Sequence, residues 1–205
     1  MSTTDRLQPQ RARVSPERVR EAALDLFARQ GYHGTAMSEI AAELSIRTPS
    51  LYNHVESKQQ LLVEIIGGTT KAVWADYEAA TSDLDTVTER LRAAAEVYAL
   101  RHATHPREAV IVNRDVPSLD EPLRTEVQTL RRRHERAIRG LIEDGCAQGL
   151  FSVTQPALAS FGILELCVSI ARWFRPDGPL SASEVAAEYA EFALRIARSH
   201  DPGPQ

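Results

Sequence analysis

Apolar residues recur along this chain at intervals of three and four, and almost nowhere at intervals of two. The first set is Val19, Ala22, Ala23, Leu26 and Phe27, one stripe of a helix. Ser15 and Pro16 start it, a side-chain cap followed by a residue with no amide to satisfy, and Gly31 stops it. Met37, Ile40, Ala41 and Leu44 predict a short second helix, with Thr35 as its cap. Leu51, Tyr52 and Val55 predict a third, shorter still, capped by Thr48 with Pro49 behind it. Ser57 and Gln60 form a capping-box pattern opening a longer helix with Leu61, Leu62, Ile65 and Ile66 inward. Gly67-Gly68 inside that helix costs about 2 kcal/mol relative to alanines and predicts a bend.

Beyond Asp83 the helices lengthen. One starting at Asp85 carries Val87, Leu91, Ala94, Ala95 and Tyr98 and ends before Pro106, and a short one follows around residues 109–114. A second capping-box pattern, Ser118 to Glu121, opens a helix running to Gly145 or Gly149. Thr154-Gln155-Pro156 starts the most apolar stretch, "ALASFGILELCVSIARWF". A third box, Ser181 to Glu184, opens "EVAAEYAEFALRIA", and the Pro/Gly-rich "RPDGPLS" joins the last two helices. No strand alternates convincingly and no Asn-Gly or Asp-Gly hairpin is present. The expected fold is all-α. Two short helices joined by about four residues after a longer one make a helix-turn-helix, followed by a larger helical bundle. The implied organisation is a flexible basic arm at 1–14, a helix-turn-helix domain at 15–57, and a ligand-binding and dimerisation domain at 58–200. The last begins with a connecting helix at 58–80, and 201–205 form a disordered tail.

The formal net charge of −4 on its face argues against nucleic acid, but the distribution matters more than the sum, and basic tails are also common in proteins with no such role. Arg6, Arg11, Arg13, Arg18 and Arg20 outnumber Asp5 and Glu17 at the start, and the acidic excess lies mostly after Lys58. A basic head on an acidic body is compatible with a small DNA-reading module. No apolar run approaches the roughly 20 residues of a membrane span, and the first residues lack a secretory signal's apolar stretch. The expectation is a cytoplasmic protein without a membrane partner. Cys146 and Cys167 read as two buried thiols rather than a disulfide.

In a helix-turn-helix the second helix enters the major groove and its first turn meets base edges. "RTPSLYNHVESK" fits mechanically. Arg47, Thr48 and Ser50 face the groove, Tyr52, His54 and Lys58 supply donors for flanking phosphates, and the Ser57 helix start adds a positive dipole end. "GYHGTAMSEIAAELSIRTPSLYNHVESKQQLL" resembles the DNA-binding module of the TetR family of tetracycline-repressor-like regulators. That family's pattern runs Gly-aromatic, Thr, Ile-Ala, Leu-Tyr-x-His, Ser-Lys, Leu-Leu, and the likeness covers roughly residues 19–62. The resemblance implies that Thr35, Tyr52, His54 and Lys58 position the DNA backbone and that Arg47, Thr48 and Ser50 face bases, with Asn53 beside them. Pro49 can press its ring on a thymine methyl. Ser45 departs from the family's turn glycine, which predicts strain there, and Val55 departs from its phenylalanine, which thins the packing.

The resemblance further implies a ligand-responsive regulator, a repressor released from a palindromic operator by a small molecule. It also implies a homodimer whose last two helices pair with those of a second subunit. Glu165, Ser169 and Arg172 lie on one stripe of an apolar helix, and Val185, Tyr189, Phe192 and Ile196 recur on the final one; these are the expected interface residues. Trp74, Tyr77, Tyr98, His102, Asn113, His134 and Trp173 combine bulk with polar tips and are the candidate pocket residues. "RTPSLYNHVESK" and "ARWFRPDGPLS" resemble actinobacterial members that govern lipid or steroid breakdown, some sensing CoA thioesters. An acyl-CoA or other lipid-like effector follows as an expectation, its anionic tail held by Arg101 or Arg114. The Arg131 to Arg133 run, with Arg136 and Arg139, reads as a solvated face partnered by Glu126, Glu135 and Glu143. His102, His105 and His134 are spaced too loosely for a metal, and no nucleophile motif appears, so no cofactor, metal site or catalysis is expected. The rival reading is a ligand-carrying or protein-binding bundle without DNA function.

Overall fold

The computed structural model describes residues 14–198, which form nine α-helices and one 3-10 turn and, among those residues, no strand. The arm before Val14 and the tail after Arg198 lie outside the described residues. The head comprises α1 (Pro16–Gln30), α2 (Met37–Glu43) and α3 (Thr48–Leu51). Ser15 caps α1 by accepting from the Arg18 amide, and Gly31, at φ 85°, takes the left-handed turn that ends it. At α2 the expected cap is displaced. Ala36 occupies the cap position, and the Glu39 carboxylate accepts from the Ala36 amide at 2.7 Å. Thr35 is buried, and its hydroxyl donates to the Gly31 carbonyl at 2.9 Å, so it locks the preceding turn instead. Thr48 is likewise not a cap. Arg47 holds that position without a side-chain bond, and Thr48-Pro49 form the first turn of α3. Ser45 stands between α2 and α3 at φ 56°, so the expected strain is present in the turn.

The connecting helix α4 (Lys58–Thr81) runs through Gly67-Gly68 without interruption. Its capping box is half formed. Ser57 accepts from the Gln60 amide, but the Gln60 side chain reaches back to the Glu56 amide, one residue further out. Helix α5 (Val87–Thr104) is opened by a box at Thr86 and Glu89, one residue beyond the expected Asp85 start. Then come α6 (Pro106–Arg114), the 3-10 turn Val116–Ser118, and α7 (Leu123–Ala147). The box expected at Ser118 does not form, because Ser118 bonds His33 and Glu121 instead accepts from Thr125 and Arg124. Helices α8 (Pro156–Trp173) and α9 (Ala182–Arg198) complete the bundle, α9 opened by the Ser181–Glu184 box as expected.

Two cores result. The head core gathers Val19, Phe27, Ile40, Leu51, Leu62 and Ile66 and extends to Ile111 of α6, Leu119, and Val127 of α7. The bundle core is centred on α5, whose Leu91 and Tyr98 cluster with Ile138, Ile163, Ile170 and Leu194. Helix α4 serves both, giving Leu62 and Ile66 to the first and Val73 and Tyr77 to the second. The reading of no membrane-length segment needs one correction: α8, at 18 residues, is apolar and long enough by length and composition to cross a membrane. Cys146 and Cys167 are free thiols, and burial raises the Cys167 pKa to about 12.

Candidate nucleic-acid interface and effector cavity

Around α3 the chain exposes Arg47, Pro49, Ser50, Tyr52 and Asn53, with Thr48 and His54 half-buried and Leu51 and Val55 turned into the core. A helix this short keeps its place because those two apolar residues anchor it and the Ser50 and Leu51 amides bond back to the Arg47 carbonyl. Tyr52 is 51 % exposed although it is a large ring, which suits a group meant for an absent surface. Two expected contacts are placed differently. Thr35 is sealed inside the turn. The Lys58 ammonium donates to the Tyr32 and Thr35 carbonyls at 2.9 and 2.8 Å and lies 4.4 Å from the centre of the Tyr32 ring. Lys58 therefore ties the α1–α2 loop to the start of α4 rather than standing free for a phosphate. The reason is positional, since at the first residue of α4 the side chain points back across the loop carbonyls.

A cavity of about 290 Å³ opens among α4 to α8. Of the expected pocket residues, Tyr98, His102, Asn113 and His134 line it. Trp74 and Tyr77 stand behind that lining, Trp74 edge-on to His134 with ring centres 5.1 Å apart and Tyr77 against Tyr98. Trp173 is elsewhere, 48 % exposed and stacked on Tyr189. The apolar wall comes from Val73, Ala109, Val112, Phe161, Leu164 and Val168. The last three recur at i, i+3 and i+7, a signal open to a sequence reader but masked by the uniform hydrophobicity of that helix. Burial keeps His102 and His134 neutral. The His134 pKa is lowered to about 4, chiefly by burial and then by Arg133 and Arg131, with the Thr70 carbonyl opposing. His102 is lowered by burial, against its bond to the Tyr98 carbonyl.

Arg101, Arg131 and Arg132 also line the cavity. Arg101 is paired with Asp76, and Arg131 donates to the Val112 carbonyl and to Asn113. The solvated-face expectation for this arginine run thus needs dividing. Arg139 does pair with Glu135 and Glu143, and Arg131, Arg132 and Arg133 are exposed as expected, but Arg131 and Arg132 also border the cavity and Arg133, paired with Glu78, covers the Trp74 ring at 3.8 Å. Arg114, the other expected anion holder, is not in the cavity. Its guanidinium donates to the Phe27 and Ala28 carbonyls at the end of α1 and grips buried Asp115 with two bonds of 3.0 and 2.8 Å. With Arg107 pairing Glu21 and Asp25 of α1, helix α6 has one side at the cavity (Ala109, Val112, Asn113) and another clasping the head.

The expected interface residues separate by depth. Val185 is buried in the chain's own core, and Tyr189 and Ile196 pack partly against it, because α9 lies along α5. Glu165, Arg172 and Phe192 are exposed, and Ser169 is half-buried, bonding the Leu166 carbonyl. Leu158, Phe161, Leu166 and Trp173 join them, so α8 carries an exposed apolar stripe that continues into α9 through the rings of Trp173, Tyr189 and Phe192. Glu165 also borders the cavity.

A short helix with polar groups outward on a three-helix head, joined to a bundle with a cavity among its helices, defines a one-component DNA-binding regulator. The chain belongs to the TetR family. Residues 19–65 match the bacterial regulatory proteins of the tetR family, and residues 84–197 match the tetracyclin repressor-like C-terminal domain. The HTH-type transcriptional repressor KstR2 of Mycolicibacterium smegmatis is 28 % identical over 181 residues, spanning 85 % of this chain and 86 % of that protein. The regulator PfmR of Thermus thermophilus is 34 % identical, covering 87 % of this chain and 97 % of its own, with a TM-score of 0.76. AibR, solved in complex with isovaleryl coenzyme A and operator DNA, shares the fold at 24 % identity and a TM-score of 0.76, with coverage of 89 % and 97 %. The chain is a ligand-responsive, DNA-binding transcriptional regulator, not an enzyme, and the reading of a bundle without DNA function falls away.

Proposed function

We propose that this regulator is a cytoplasmic homodimeric repressor, released from a palindromic operator by an effector with an apolar body and an anionic end, of the acyl-CoA class. One observation carries the effector reading: a largely apolar cavity whose lining includes Arg101, Arg131 and Arg132. Arginine forks pair with phosphate or carboxylate, while the apolar wall accepts a chain or ring system. That AibR was solved with isovaleryl coenzyme A gives the class independent support. One small recognition helix buries too little surface for tight binding, so two copies reading two half-sites are required. The exposed stripe of α8 and α9 is the surface on which a second copy fits, and pairing there removes its apolar side chains from water.

The coupling runs through α6. A ligand bound against Ala109, Val112 and Asn113 biases the helix whose Arg107 and Arg114 hold α1, and so biases the spacing of the two heads. The ligand acts only as far as it prefers one spacing over the other. Arg47, Thr48, Pro49, Ser50, Tyr52, Asn53 and His54 form the DNA-facing set. The test begins with duplexes selected from a random pool. Decanoyl-CoA and a sterol-derived acyl-CoA are then titrated into the complex while fluorescence anisotropy and melting temperature are followed. Release of DNA together with a raised melting temperature is expected. A screen in which only cationic or planar drugs act refutes the effector class. Ser50→Ala is expected to relax preference at one base position per half-site, and unchanged selection refutes the assignment of α3.

A further inference from the structure

Among the described residues, three buried side-chain atoms make no hydrogen bond of good geometry: Trp74 Nε1, Arg101 Nε and His134 Nε2, the Thr70 carbonyl lying near enough to the His134 ring only to raise its pKa. Protein interiors pair nearly all such groups, so three unpaired donors close to one cavity are a directed surplus: Arg101 and His134 line it, and Trp74 stands behind His134. All are donors. For Trp74 and Arg101 that follows from chemistry alone. For His134 it follows from its neighbour. The ring is neutral and its Nδ1 bonds the Tyr98 hydroxyl, a phenol whose pKa burial raises. If the phenol donates, the ring's one proton sits on Nε2 and a single group is unpaired. The reverse arrangement strands both the phenol proton and the Nε2 lone pair. The first is favoured.

A wall of donors without acceptors is complementary to an oxygen. The kind of oxygen follows from charge. His134 and Trp74 are neutral, and the Arg101 charge is already met by Asp76. An anionic group is drawn instead to Arg131 and Arg132. We propose that this wall reads an uncharged carbonyl oxygen on the effector, with His134 Nε2–H as the specificity-determining donor. Tyr98 is the positioning residue that holds the tautomer. His134 lines the cavity, and its Nδ1 is anchored on the Tyr98 hydroxyl. The proposal rests on the reading of this cavity as the effector site, and on nothing about the effector's anionic end.

The test uses isosteric pairs that differ only in C=O against C=CH2: benzophenone with 1,1-diphenylethylene, and 2-nonanone with 2-methyl-1-nonene. Each is titrated into the full-length protein by ligand-detected NMR. The ketone of at least one pair is expected to bind about five- to tenfold tighter, which is what one neutral hydrogen bond contributes. In His134→Phe that preference should fall to about one while the alkene still binds. A merely structural role weakens both members alike. In Tyr98→Phe the preference should fall partway as both tautomers appear in the imidazole ¹⁵N spectrum. Should His134→Phe not fold, the parent's His134 Nε2 resonance decides, because it must move with the ketone and not with the alkene. Equal binding of both pairs, binding of neither, or a preference that survives His134→Phe overturns the proposal. If decanoyl-CoA releases DNA while the pairs bind equally, only this proposal fails. If ketones are preferred but no CoA ester releases DNA, only the acyl-CoA reading fails.

Discussion

Replacing Arg114 by methionine cuts the tie between the effector helix α6 and the DNA-binding head, and its cost can be worked out from the contacts. The guanidinium donates to two carbonyls ending α1 and pairs with the Asp115 carboxylate, whose side chain is 7 % exposed. Removing one member of a buried ion pair costs about 3–5 kcal/mol, mostly by stranding the other charge. Arg114 itself is 40 % exposed, and solvent screening brings the expectation down to about 2 kcal/mol. Against a total stability of about 5–15 kcal/mol the variant still folds. Because much of the loss is the stranded carboxylate, Arg114→Met with Asp115→Asn should regain about 1 kcal/mol in urea unfolding. Function separates from stability in that double variant. Duplex affinity without effector should stay near the parent's, while effector-driven release, read by anisotropy, should fall at least fivefold. A double variant that responds to effector as the parent does refutes α6 as the coupling element. A single variant that loses less than about 0.5 kcal/mol refutes the reasoning about Asp115.

Lys58→Met should lower stability by about 2–3 kcal/mol, since two charge-assisted bonds to loop carbonyls are lost, and weaken all DNA sequences alike without the change in salt slope that a lost phosphate contact brings; a stable variant with a flatter slope refutes the strut. Ser45→Gly should stabilise the head by up to about 1 kcal/mol by relieving φ 56°, and an unchanged or lower melting temperature counts against strain there. Phe192→Glu or Leu166→Glu should sediment as monomers at micromolar concentration, and a well-folded dimer of both variants moves the interface off this face. His134 has a folded pKa near 4, below its unfolded value of about 6.5, so the unfolded chain binds the extra proton first; stability present above pH 6.5 is lost progressively towards pH 4, by up to about 3 kcal/mol. In His134→Phe that part of the acid loss should disappear from urea midpoints measured across the window, and an unchanged pH profile refutes the assignment.

Sequence alone determined the helices and their order, because period, caps and prolines are local: Ser15-Pro16, Ser181 with Glu184, and the stripe from Val19 to Phe27 act within a turn or two of themselves. It also carried the head's identity, since "LYNHVESK" has an ordered pattern. Where local signals compete, only packing chose. Ser118 and Thr35 have the residue types of caps, yet Ser118 was claimed by His33 across the domain boundary and Thr35 by the Gly31 carbonyl. Lys58 has a phosphate binder's chemistry, but the loop carbonyls of Tyr32 and Thr35 lie within its reach. The same holds for the arginines. Arg114 and Arg131 are alike in sequence, but Arg114 grips the end of α1 while Arg131 faces the cavity. Val185 and Phe192 share one stripe, yet Val185 is inside and Phe192 at the surface, because α9 lies along α5 at a rotation that no single helix encodes. Periodicity fixes which residues share a face; which face meets solvent, cavity or a neighbouring helix is decided by the other elements packed against it.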